Sequence, residues 1–310
     1  MKVAQTAVGM MLTNLQIGLE AMGLTVHRDV PLGDYTSFRI GGPADLLVVV
    51  HTVDDLAGAV ALAHKSGMPW WVLGGGSNVL ISDAGVRGLT IVNRCRAIRI
   101  GEDGTVWAES GALLAGLARE AIQAGLAGLE WAVSVPGTVG GAVVGNAGAH
   151  GGCIADCLSS VELVHPSGQR FVWPAAELEL GYRSSRLKTG ALTGVVLSAS
   201  FRLTPAPVDT LRQRASEYLA YRRRTQPITA SAGSIFRNPP GDYAGRLIEA
   251  AGLKGAREGG AQFSTVHANF IINLGGATAR DVLCLIERAQ RAVKERFGVT
   301  LEPEILFIGL

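Results

Sequence analysis

The sequence predicts an α+β protein of two or three lobes, on three observations. The chain has 310 residues, which is too long for one ordinary hydrophobic core and allows about 100 residues for each lobe. Hydrophobic residues make up 48% and charged residues 17%, so folding buries enough apolar surface to offset the lost conformational entropy. Strand-like and helix-like runs both occur, and Pro205 and Pro207 set off a helix-rich last third.

The chain begins with a predicted helix and a small β-α-β lobe. Residues 1–21 mix apolar and polar side chains, a pattern typical of a short amphipathic helix and unlike the apolar core of a signal peptide. Two later runs are predicted strands, namely Ala44–Val50 and Trp70–Leu73. A helix over residues 52–65 is expected between them, because Thr52 and Asp55 form a capping box. Residues 22–80 are assigned to this first lobe.

Residues 81–206 predict a second lobe in which short strands dominate. The strand-like runs are Leu89–Val92, Val106–Glu109, Ser160–His165, Arg170–Trp173 and Val195–Leu203. A helix is expected from Ala112 to Ala124, because Gly125 supplies a C-terminal stop signal.

Residues 207–310 predict a third lobe rich in helices. The expected helices are Val208–Arg224, Asp242–Ala251 and Thr278–Phe297. The last has the clearest amphipathic pattern, with apolar residues such as Val282 and Leu285 on one face. Gly298 then predicts its C-terminal end.

Charge and hydropathy exclude two classes of partner. Lys plus Arg number 28 and Asp plus Glu number 26, so the chain offers no broad positive field for a nucleic acid. The longest aliphatic stretches, such as Leu46–Val50, fall far short of the roughly 20 residues that cross a bilayer. We therefore expect no nucleic-acid partner and no membrane span.

The cysteines predict a reducing compartment and no metal site. Cys153 and Cys157 form a CxxxC pair, but no further Cys or His stands at the spacing that would complete a zinc site. Reduced and mostly buried thiols are the expected state, which favours the cytoplasm.

The segment WVLGGGSNVLIS, residues 71–82, places three glycines between two apolar runs. Several backbone N–H groups there are free to approach an anion without interference from a β-carbon, which predicts a diphosphate cradle. The plain alternative is a tight β-turn that binds no ligand.

The segment SVPGTVGGAVVGNAGAHGG, residues 134–152, is a second glycine-rich loop. Its glycines remove side chains from one surface, and Ser134, Thr138 and Asn146 add hydrogen-bonding groups among apolar residues. This composition predicts a site for a flat apolar ring with polar edges. The alternative is a helix N-terminus whose glycines serve close packing. No GxGxxG and no GK pair occur, so neither loop has a Rossmann or P-loop signature.

Six ordered blocks together resemble the UDP-N-acetylenolpyruvoylglucosamine reductase family. The blocks are TSFRIGGPAD (36–45), LGGGSNVLISD (73–83), SVPGTVGGAVVGNAGAHGG (134–152), YRSSRLK (182–188), AGSIFRNPPGDYAGRLI (232–248) and LEPEILFIG (301–309). The blocks within about residues 35–206 also resemble the wider FAD-binding fold of the vanillyl-alcohol oxidase type, which hosts many activities. The last two blocks narrow the resemblance to the reductases.

The resemblance implies a three-domain α+β protein that holds FAD non-covalently. An N-terminal helix (1–21) would precede two FAD-binding subdomains (22–80 and 81–206) and a substrate-binding domain (207–310). The residues that would contact FAD are Arg39, Ile40, Gly41, Gly74, Gly75, Gly76, Ser77, Asn78, Val135, Pro136, Gly137, Thr138, Gly140, Gly141, Asn146, Ala147 and Gly148.

The resemblance also assigns three catalytic residues. Ser234 matches the family's proton donor, whereas the residues alone favour a helix or turn cap at that position. Arg183 and Glu304 match the other two; an arginine fork suits a carboxylate whose charge grows during reduction. Read alone, Glu304 is a structural or surface charge. Glu302, two residues earlier, faces the same way on a strand and is easily confused with it.

Three further residues are assigned to the substrate. Asn238 matches a residue near the substrate diphosphate, and Tyr182 adjoins Arg183 in the YRSS block. Arg222 lies at a basic helix end that suits a phosphate, although solvated arginines at a helix C-terminus are a plain alternative.

This chain departs from the family pattern at three places. Leu306 stands where the family has an arginine, and Glu258 stands where an aliphatic residue is commoner. About ten residues separate YRSSRLK from the next strand. That spacing resembles the shorter class of these enzymes, which lacks an inserted tyrosine loop.

The function that the resemblance implies is reduction of UDP-N-acetylenolpyruvoylglucosamine to UDP-N-acetylmuramate by a cytoplasmic monomer, with NADPH as the reductant. This step belongs to peptidoglycan precursor synthesis, and so to cell shape and division. One alternative is another FAD-dependent oxidase or dehydrogenase of the same fold, which would not need Ser234. A second alternative is a non-catalytic protein that binds a sugar nucleotide.

Overall fold

The structure, a computed structural model, describes residues 2–310, with side chains from Val8 onward. The α-helices are α1 (Lys2–Ala21), α2 (Val53–Lys65), α3 (Leu114–Gln123), α4 (Val139–Val144), α5 (Arg186–Thr189), α6 (Val208–Thr225), α7 (Ala244–Ala250) and α8 (Ala279–Phe297). The strands are β1 (Val26–Pro31), β2 (Pro43–Val50), β3 (Trp70–Leu73), β4 (Val79–Ile81), β5 (Val86–Asn93), β6 (Ile98–Ile100), β7 (Thr105–Glu109), β8 (Leu126–Ala127), β9 (Gly148–Ala149), β10 (Gly152–Cys153), β11 (Leu158–Val164), β12 (Arg170–Pro174), β13 (Val195–Arg202), β14 (Thr204–Pro205), β15 (Ser231–Ser234), β16 (Arg257–Glu258), β17 (Ala261–Phe263), β18 (Phe270–Asn273) and β19 (Leu306–Ile308).

The described residues group into two compact units, each built from separate stretches of the chain. The first unit contains the chain up to Asp29 together with Asp45–Gly75 and Arg87–Ala220. The second unit contains Val30–Ala44, Gly76–Val86 and Tyr221–Leu310. The division into an N-terminal helix and three domains stays a prediction.

The first unit contains two sheets, each with its own hydrophobic core. One sheet has the strand order β1-β2-β5-β3, and helices α1 and α2 bury residues such as Leu15 and Leu56 in its core. The other has the order β12-β11-β13-β7-β6 and is antiparallel throughout. Its core includes Phe201 from β13 and Leu117 from α3. Each sheet therefore covers one apolar face with helices.

The second unit is built on the antiparallel sheet β15-β18-β17-β16 and on helices α7 and α8. Helix α8 begins at a capping box of Thr278 and Asp281 and ends at Gly298, which has a φ of +69°. Phe38 and Leu80 belong to the same buried core as Leu285 of α8. The early segments 30–44 and 76–86 are thus packed into the third lobe that the sequence predicts.

Most predicted elements are confirmed, and the differences concern short strands. The predicted α2 is present, with the Thr52 hydroxyl accepting the Asp55 N–H at 3.1 Å. Strands β15, β17 and β18 were not predicted, because runs of three or four residues carry no clear period. The expected strand through Glu302 and Glu304 is reduced to one bridge between Pro303 and Phe236.

Two composition-based expectations concern the surface and the thiols. Over residues 2–310, no helix is both long enough and apolar enough to cross a bilayer. Cys95 and Cys157 are buried free thiols, and burial raises the pKa of each to about 12. Cys284 is exposed, so the expectation of mostly buried thiols is met only in part.

Candidate active site

Within the first unit, the two glycine-rich loops lie against each other. A β-carbon added at Gly74 would lie 2.3 Å from the hydroxyl oxygen of Thr138, and one added at Gly75 would lie 2.9 Å from the Cα of Gly137. Only glycine permits backbones to approach this closely. The sequence left open whether these glycines served a turn or a ligand; the structure shows that two of them are needed for contact between the loops.

Gly76 begins the part of the first loop that belongs to the second unit. Its φ is +59°, and a β-carbon there would lie 2.1 Å from the carbonyl oxygen of Tyr35. The Ser37 N–H donates to the Gly76 carbonyl at 3.0 Å, and the Ser37 hydroxyl donates to the Ser231 carbonyl at 2.7 Å. Residue 37 thereby joins the glycine loop to strand β15, which carries Ser234.

In the second glycine-rich loop, neighbouring glycines serve different purposes. Gly140 is buried; its N–H donates to the Ser110 carbonyl at 2.8 Å, and a β-carbon there would lie 2.9 Å from the Ser110 Cβ. Gly141 is exposed, and the nearest neighbour of a β-carbon there is the Thr138 hydroxyl at 3.8 Å. Close packing therefore explains Gly140, whereas Gly141 leaves open space at the surface of α4.

The surroundings of this loop suit a flat apolar ring. Val135 and Pro136 supply apolar surface, and Ala147 and Gly148 add little side-chain bulk. The hydroxyl oxygen of Ser134 is buried and has no hydrogen-bond partner within the described residues. Apolar walls with a few polar atoms are what a cofactor ring needs, so these residues fit the predicted flavin.

Arg183 projects from a tight turn of the first unit. Gly181 and Ser184 exchange backbone hydrogen bonds of 3.1 and 3.2 Å, which leaves Tyr182 and Arg183 at the tip. Tyr182 is exposed, and Arg183 is half-buried with a φ of +53°. A left-handed backbone at a bulky residue costs about 1–3 kcal/mol and persists only where the surroundings impose it.

Asn146 connects this turn with the second glycine-rich loop. Its side-chain N–H donates to the Gly181 carbonyl at 2.8 Å, and its side-chain oxygen accepts the Ala155 N–H at 3.0 Å. Asn146 is buried and has a φ of +41°, a conformation that asparagine tolerates. Its amide is therefore engaged with protein backbone on both sides.

Ser234 is the last residue of β15 in the second unit and pairs with Phe270 of β18. It is half-buried, and its hydroxyl makes no hydrogen bond within the described residues. The alternative that Ser234 caps a helix or turn is wrong, because the residue lies in a strand. The preceding Gly233 lies beside the first glycine loop, since a β-carbon there would be 4.0 Å from the Ser77 carbonyl oxygen.

In the second unit, the backbone of Glu304 pairs with Ile235, the residue that follows Ser234. The Glu304 N–H donates to the carbonyl of Ile235 at 2.7 Å, and its carbonyl accepts the Asn78 side-chain N–H at 3.3 Å. Glu304 is half-buried, whereas Glu302 is exposed. The second unit thus brings together Ser234, Glu304 and the Gly76–Asn78 part of the first glycine loop.

Two of the residues assigned to the substrate also lie in the second unit. The Asn238 side-chain oxygen accepts the N–H of Ala244, the first residue of α7, at 3.1 Å. Arg222 is half-buried, and burial lowers the pKa of its guanidinium. Within residues 2–310 it has no acidic partner. A half-buried cation without a counter-ion suits an anionic ligand.

An open cavity of about 870 Å³ in the second unit includes another predicted cofactor residue, Arg39. Arg39 is exposed and has a φ of +55°. The Asn273 side chain donates to the carbonyls of Phe38 and Arg39 at 3.0 and 3.3 Å. The two neighbouring residues of the prediction are Ile40, which is buried, and Gly41, which has a φ of +152°.

Sequence comparisons identify the family. The C-terminal domain model of UDP-N-acetylenolpyruvoylglucosamine reductase matches residues 226–308, and an FAD-binding domain model matches residues 44–172. A protein of Symbiobacterium thermophilum named UDP-N-acetylenolpyruvoylglucosamine reductase 2 is 47% identical over 287 residues, which is 92% of each chain. The chain belongs to the UDP-N-acetylenolpyruvoylglucosamine reductase family.

Two other members of this reductase family match the chain over more than nine-tenths of its length. The reductase of Rubrobacter xylanophilus is 47% identical over 283 residues, covering 91% of this chain and 94% of its own. The crystal structure of the reductase from Thermus caldophilus superposes with a TM-score of 0.78 at 41% identity, covering 92% of this chain and 99% of its own. The predicted α+β fold with an FAD-binding domain is confirmed.

The departures of this reductase from the family pattern lie on its surface. Leu306 is 44% exposed on β19, where it pairs with Val79 of β4. Glu258 is exposed on β16. Residues 190–194 alone connect α5 with β13, so that connection holds no inserted tyrosine loop.

Some residues of this reductase that shape the site were missed from the sequence. Asp83 accepts the N–H groups of Ala279 and Arg280 at 2.8 and 3.1 Å, which ties the first glycine-loop block to the start of α8. Ser185 is 1% exposed and bonds the end of α4. The doubled serine in YRSS was the available signal, but sequence spacing does not show which serine points inward.

Proposed function

We propose that this protein reduces the enolpyruvyl ether of UDP-N-acetylenolpyruvoylglucosamine to the lactyl ether of UDP-N-acetylmuramate. FAD is the cofactor, and NADPH is the reductant. The observation that carries the proposal is family membership along more than nine-tenths of the chain, including the C-terminal domain specific to these reductases. The protein is accordingly an FAD-dependent oxidoreductase.

The reaction sets three chemical requirements. A hydride must reach one vinyl carbon, a proton must reach its neighbour, and the substrate carboxylate must be held while negative charge spreads onto it. Bound FAD would supply the hydride after NADPH has reduced it. The protein must supply the proton and the electrostatic clamp.

Ser234 is our proposed proton donor. Its hydroxyl is half-buried and uncommitted to any other described residue, so it is free to point at a ligand. A serine hydroxyl is a weak acid, so it acts only where neighbouring groups stabilise the alkoxide that it leaves. Its position beside the Gly76–Asn78 segment, which we assign to the cofactor diphosphate, supports this role.

Arg183 and Glu304 complete the proposed catalytic set. The Arg183 guanidinium would bind the substrate carboxylate, because a planar fork matches two carboxylate oxygens and stabilises growing charge. Glu304 would orient the substrate beside Ser234, since its backbone is hydrogen-bonded to the residue that follows Ser234.

The proposed cofactor site uses the residues predicted from the resemblance. Residues 39–41 and 74–78 would hold the diphosphate side, and residues 135–141 and 146–148 would face the flavin ring. Gly141 supplies open surface at α4 for a ring, whereas Gly140 acts through packing. Tyr182, Arg222 and Asn238 would bind the sugar nucleotide, with Arg222 on the diphosphate.

The test is to follow the flavin through both half-reactions without oxygen. Mixing the purified protein with NADPH in a stopped-flow instrument should bleach the flavin band near 450 nm, roughly the usual position for oxidised flavin. Adding the enolpyruvyl substrate should then restore the band. A flavin that NADPH does not bleach rules out the reductase. Reoxidation by oxygen alone, indifferent to Ser234→Ala, points to an oxidase of the same fold, and a colourless protein that binds UDP-sugars points to a binding protein.

In the cell, we propose that the protein acts as a cytoplasmic monomer in peptidoglycan precursor synthesis, and so contributes to cell shape and division. The free thiols of Cys95 and Cys157 suit a reducing compartment. We also propose the four-part division at residues 21, 80 and 206. Proteolysis or truncation at these positions would test it.

A further inference from the structure

We infer that Ser185 is a positioning residue that holds the turn carrying Arg183 against the end of helix α4. The inference rests on the proposed function of Arg183 as the carboxylate clamp. Ser185 itself is 1% exposed and so does not reach a ligand.

The Ser185 hydroxyl joins two helix ends. It donates to the Val144 carbonyl at 2.6 Å and accepts the Lys188 N–H at 3.1 Å. Val144 is the last residue of α4, where backbone carbonyls lack partners within the helix, and Lys188 lies in the first turn of α5. One buried hydroxyl therefore fixes the start of α5 to the end of α4.

The turn that carries Arg183 is attached to this connection between α4 and α5. Ser185 follows the turn directly, and Asn146 holds the opposite side by donating to the Gly181 carbonyl at 2.8 Å. Arg183 has a φ of +53°, a conformation that relaxes unless neighbouring contacts impose it. Ser185 and Asn146 therefore hold the turn at its two ends. Ser185 connects it to the last residue of α4, and Asn146 lies in the segment that follows α4.

Helix α4 carries Gly141, which we assign to the flavin face. Fixing the Arg183 turn to α4 thus sets where the guanidinium stands relative to the cofactor-facing loop, all within the first unit. Only the sugar nucleotide presents an enolpyruvyl carboxylate to Arg183; NADPH ends in a carboxamide. Loss of the Ser185 hydrogen bonds should therefore slow reoxidation of the flavin by the substrate and leave reduction of the flavin by NADPH unchanged.

The experiment compares Ser185→Ala with Ser184→Ala in the full-length holoenzyme. Ser184 is the matched control, because it lies in the same turn and its hydroxyl makes no hydrogen bond within the described residues. Ser185→Ala should slow substrate-dependent reoxidation about tenfold and leave reduction by NADPH within about twofold, as expected for a misplaced charge clamp. Equal reoxidation rates in the two variants would overturn the inference.

A double-mutant comparison separates positioning from general damage. If Ser185 acts through Arg183, adding Ser185→Ala to Arg183→Lys should slow reoxidation no further than Arg183→Lys alone. Multiplying effects would mean that Ser185 acts by another route, and the inference would fall. Where Ser185→Ala does not yield folded protein, Ser185→Cys replaces it, with a smaller effect in the same direction.

A second readout does not depend on activity. Hydrogen–deuterium exchange of a peptide covering residues 181–189 should be faster in Ser185→Ala than in Ser184→Ala, because the Gly181–Ser184 hydrogen bonds lose their support. Unchanged exchange overturns the positioning of the turn. Faster exchange in a protein whose flavin the substrate never reoxidises would leave the positioning intact and reject the proposed function instead.

Discussion

The backbone N–H of Glu304 donates a hydrogen bond to the carbonyl of Ile235 at 2.7 Å. Because Ile235 follows Ser234, this bond places two of the proposed catalytic residues, which are 70 positions apart in sequence, on paired backbone segments. Pro303 and Phe236 form a bridge beside it. Substitutions at the side chains of the second unit can therefore test the proposed catalytic roles directly.

Ser234→Ala should strongly slow the substrate half-reaction. General acid catalysis contributes about 10²–10⁴-fold, so flavin reoxidation by the enolpyruvyl substrate should slow by that factor, whereas bleaching by NADPH should not change. Rapid-mixing absorbance measures both steps. Ser231→Ala is the control, because Ser231 lies in the same strand and its hydroxyl makes no hydrogen bond within the described residues. Full reoxidation by Ser234→Ala would remove this residue from the mechanism.

Glu304→Gln and Glu302→Gln should distinguish the roles of two glutamates that the sequence alone did not distinguish. Glu304 is half-buried and its backbone pairs with the residue after Ser234, so its loss should lower kcat about tenfold or more, in line with removal of an orienting charged hydrogen bond. Glu302 is exposed, so its variant should keep its steady-state rates. If the two variants behave alike, Glu304 does not orient the substrate.

Arg222→Ala should weaken substrate binding with little effect on kcat. The half-buried guanidinium has no counter-ion among the described residues, and loss of a charge-assisted contact of about 1.5–3 kcal/mol raises KM about tenfold to a hundredfold. The exposed Arg223 is the matched control, and Arg223→Ala should leave KM within about twofold, since solvated charges contribute little. Equal KM values in the two variants would mean that Arg222 is a solvated charge at the helix end and does not bind the substrate.

Gly141→Ala and Gly140→Ala should differ in what they damage. At Gly141 a β-carbon meets no close protein atom, so the apoprotein should keep or gain about 0.5–1 kcal/mol of stability, while FAD binding should weaken. At Gly140 the β-carbon meets Ser110, so the free energy of unfolding should fall by about 1–3 kcal/mol. Thermal unfolding of the apoprotein and titration with FAD measure the two effects. Unchanged FAD affinity in Gly141→Ala would contradict a flavin on this face.

Asp281 should make α8 sensitive to acid. Its carboxylate accepts the Thr278 N–H at 3.0 Å and the Gly260 N–H at 3.3 Å, and the first of these hydrogen bonds is the main reason that its pKa lies below the usual value. A carboxyl group with a lowered folded pKa stabilises the protein above its unfolded pKa of about 3.9, and this contribution disappears as pH falls through the folded value.

Asp281→Asn should therefore be less stable than the parent protein at pH 7, with a difference that shrinks below about pH 4. Urea unfolding across this pH range measures the difference. Glu287→Gln on the same helix is the control, because Glu287 is exposed and makes no ion pair or hydrogen bond within the described residues. A gap between Asp281→Asn and the parent that stays constant with pH would exclude the charge of Asp281 as the cause.

Short-range signals made several elements predictable. The N-cap at Thr52 and the capping box at Thr278 depend on residues three positions away, and the stop at Gly298 depends on its own backbone freedom. Family membership was also predictable. The six blocks that carry the resemblance are contiguous in sequence, so recognising them does not depend on which residues the fold brings together. The three-residue and four-residue strands of the second unit were not, since their pairing comes from distant partners.

The sequence by itself determined the family and the cofactor class, and it supplied the residues of the proposed site. Only the tertiary structure decided which of two adjacent glycines faces Ser110 and which faces open space. It also decided which serine of YRSS is buried against Val144, 41 positions away, and joined Asn78 to Glu304 across 226 positions. Such contacts depend on which surfaces the cores bring together, and residue spacing along a chain carries no record of that packing.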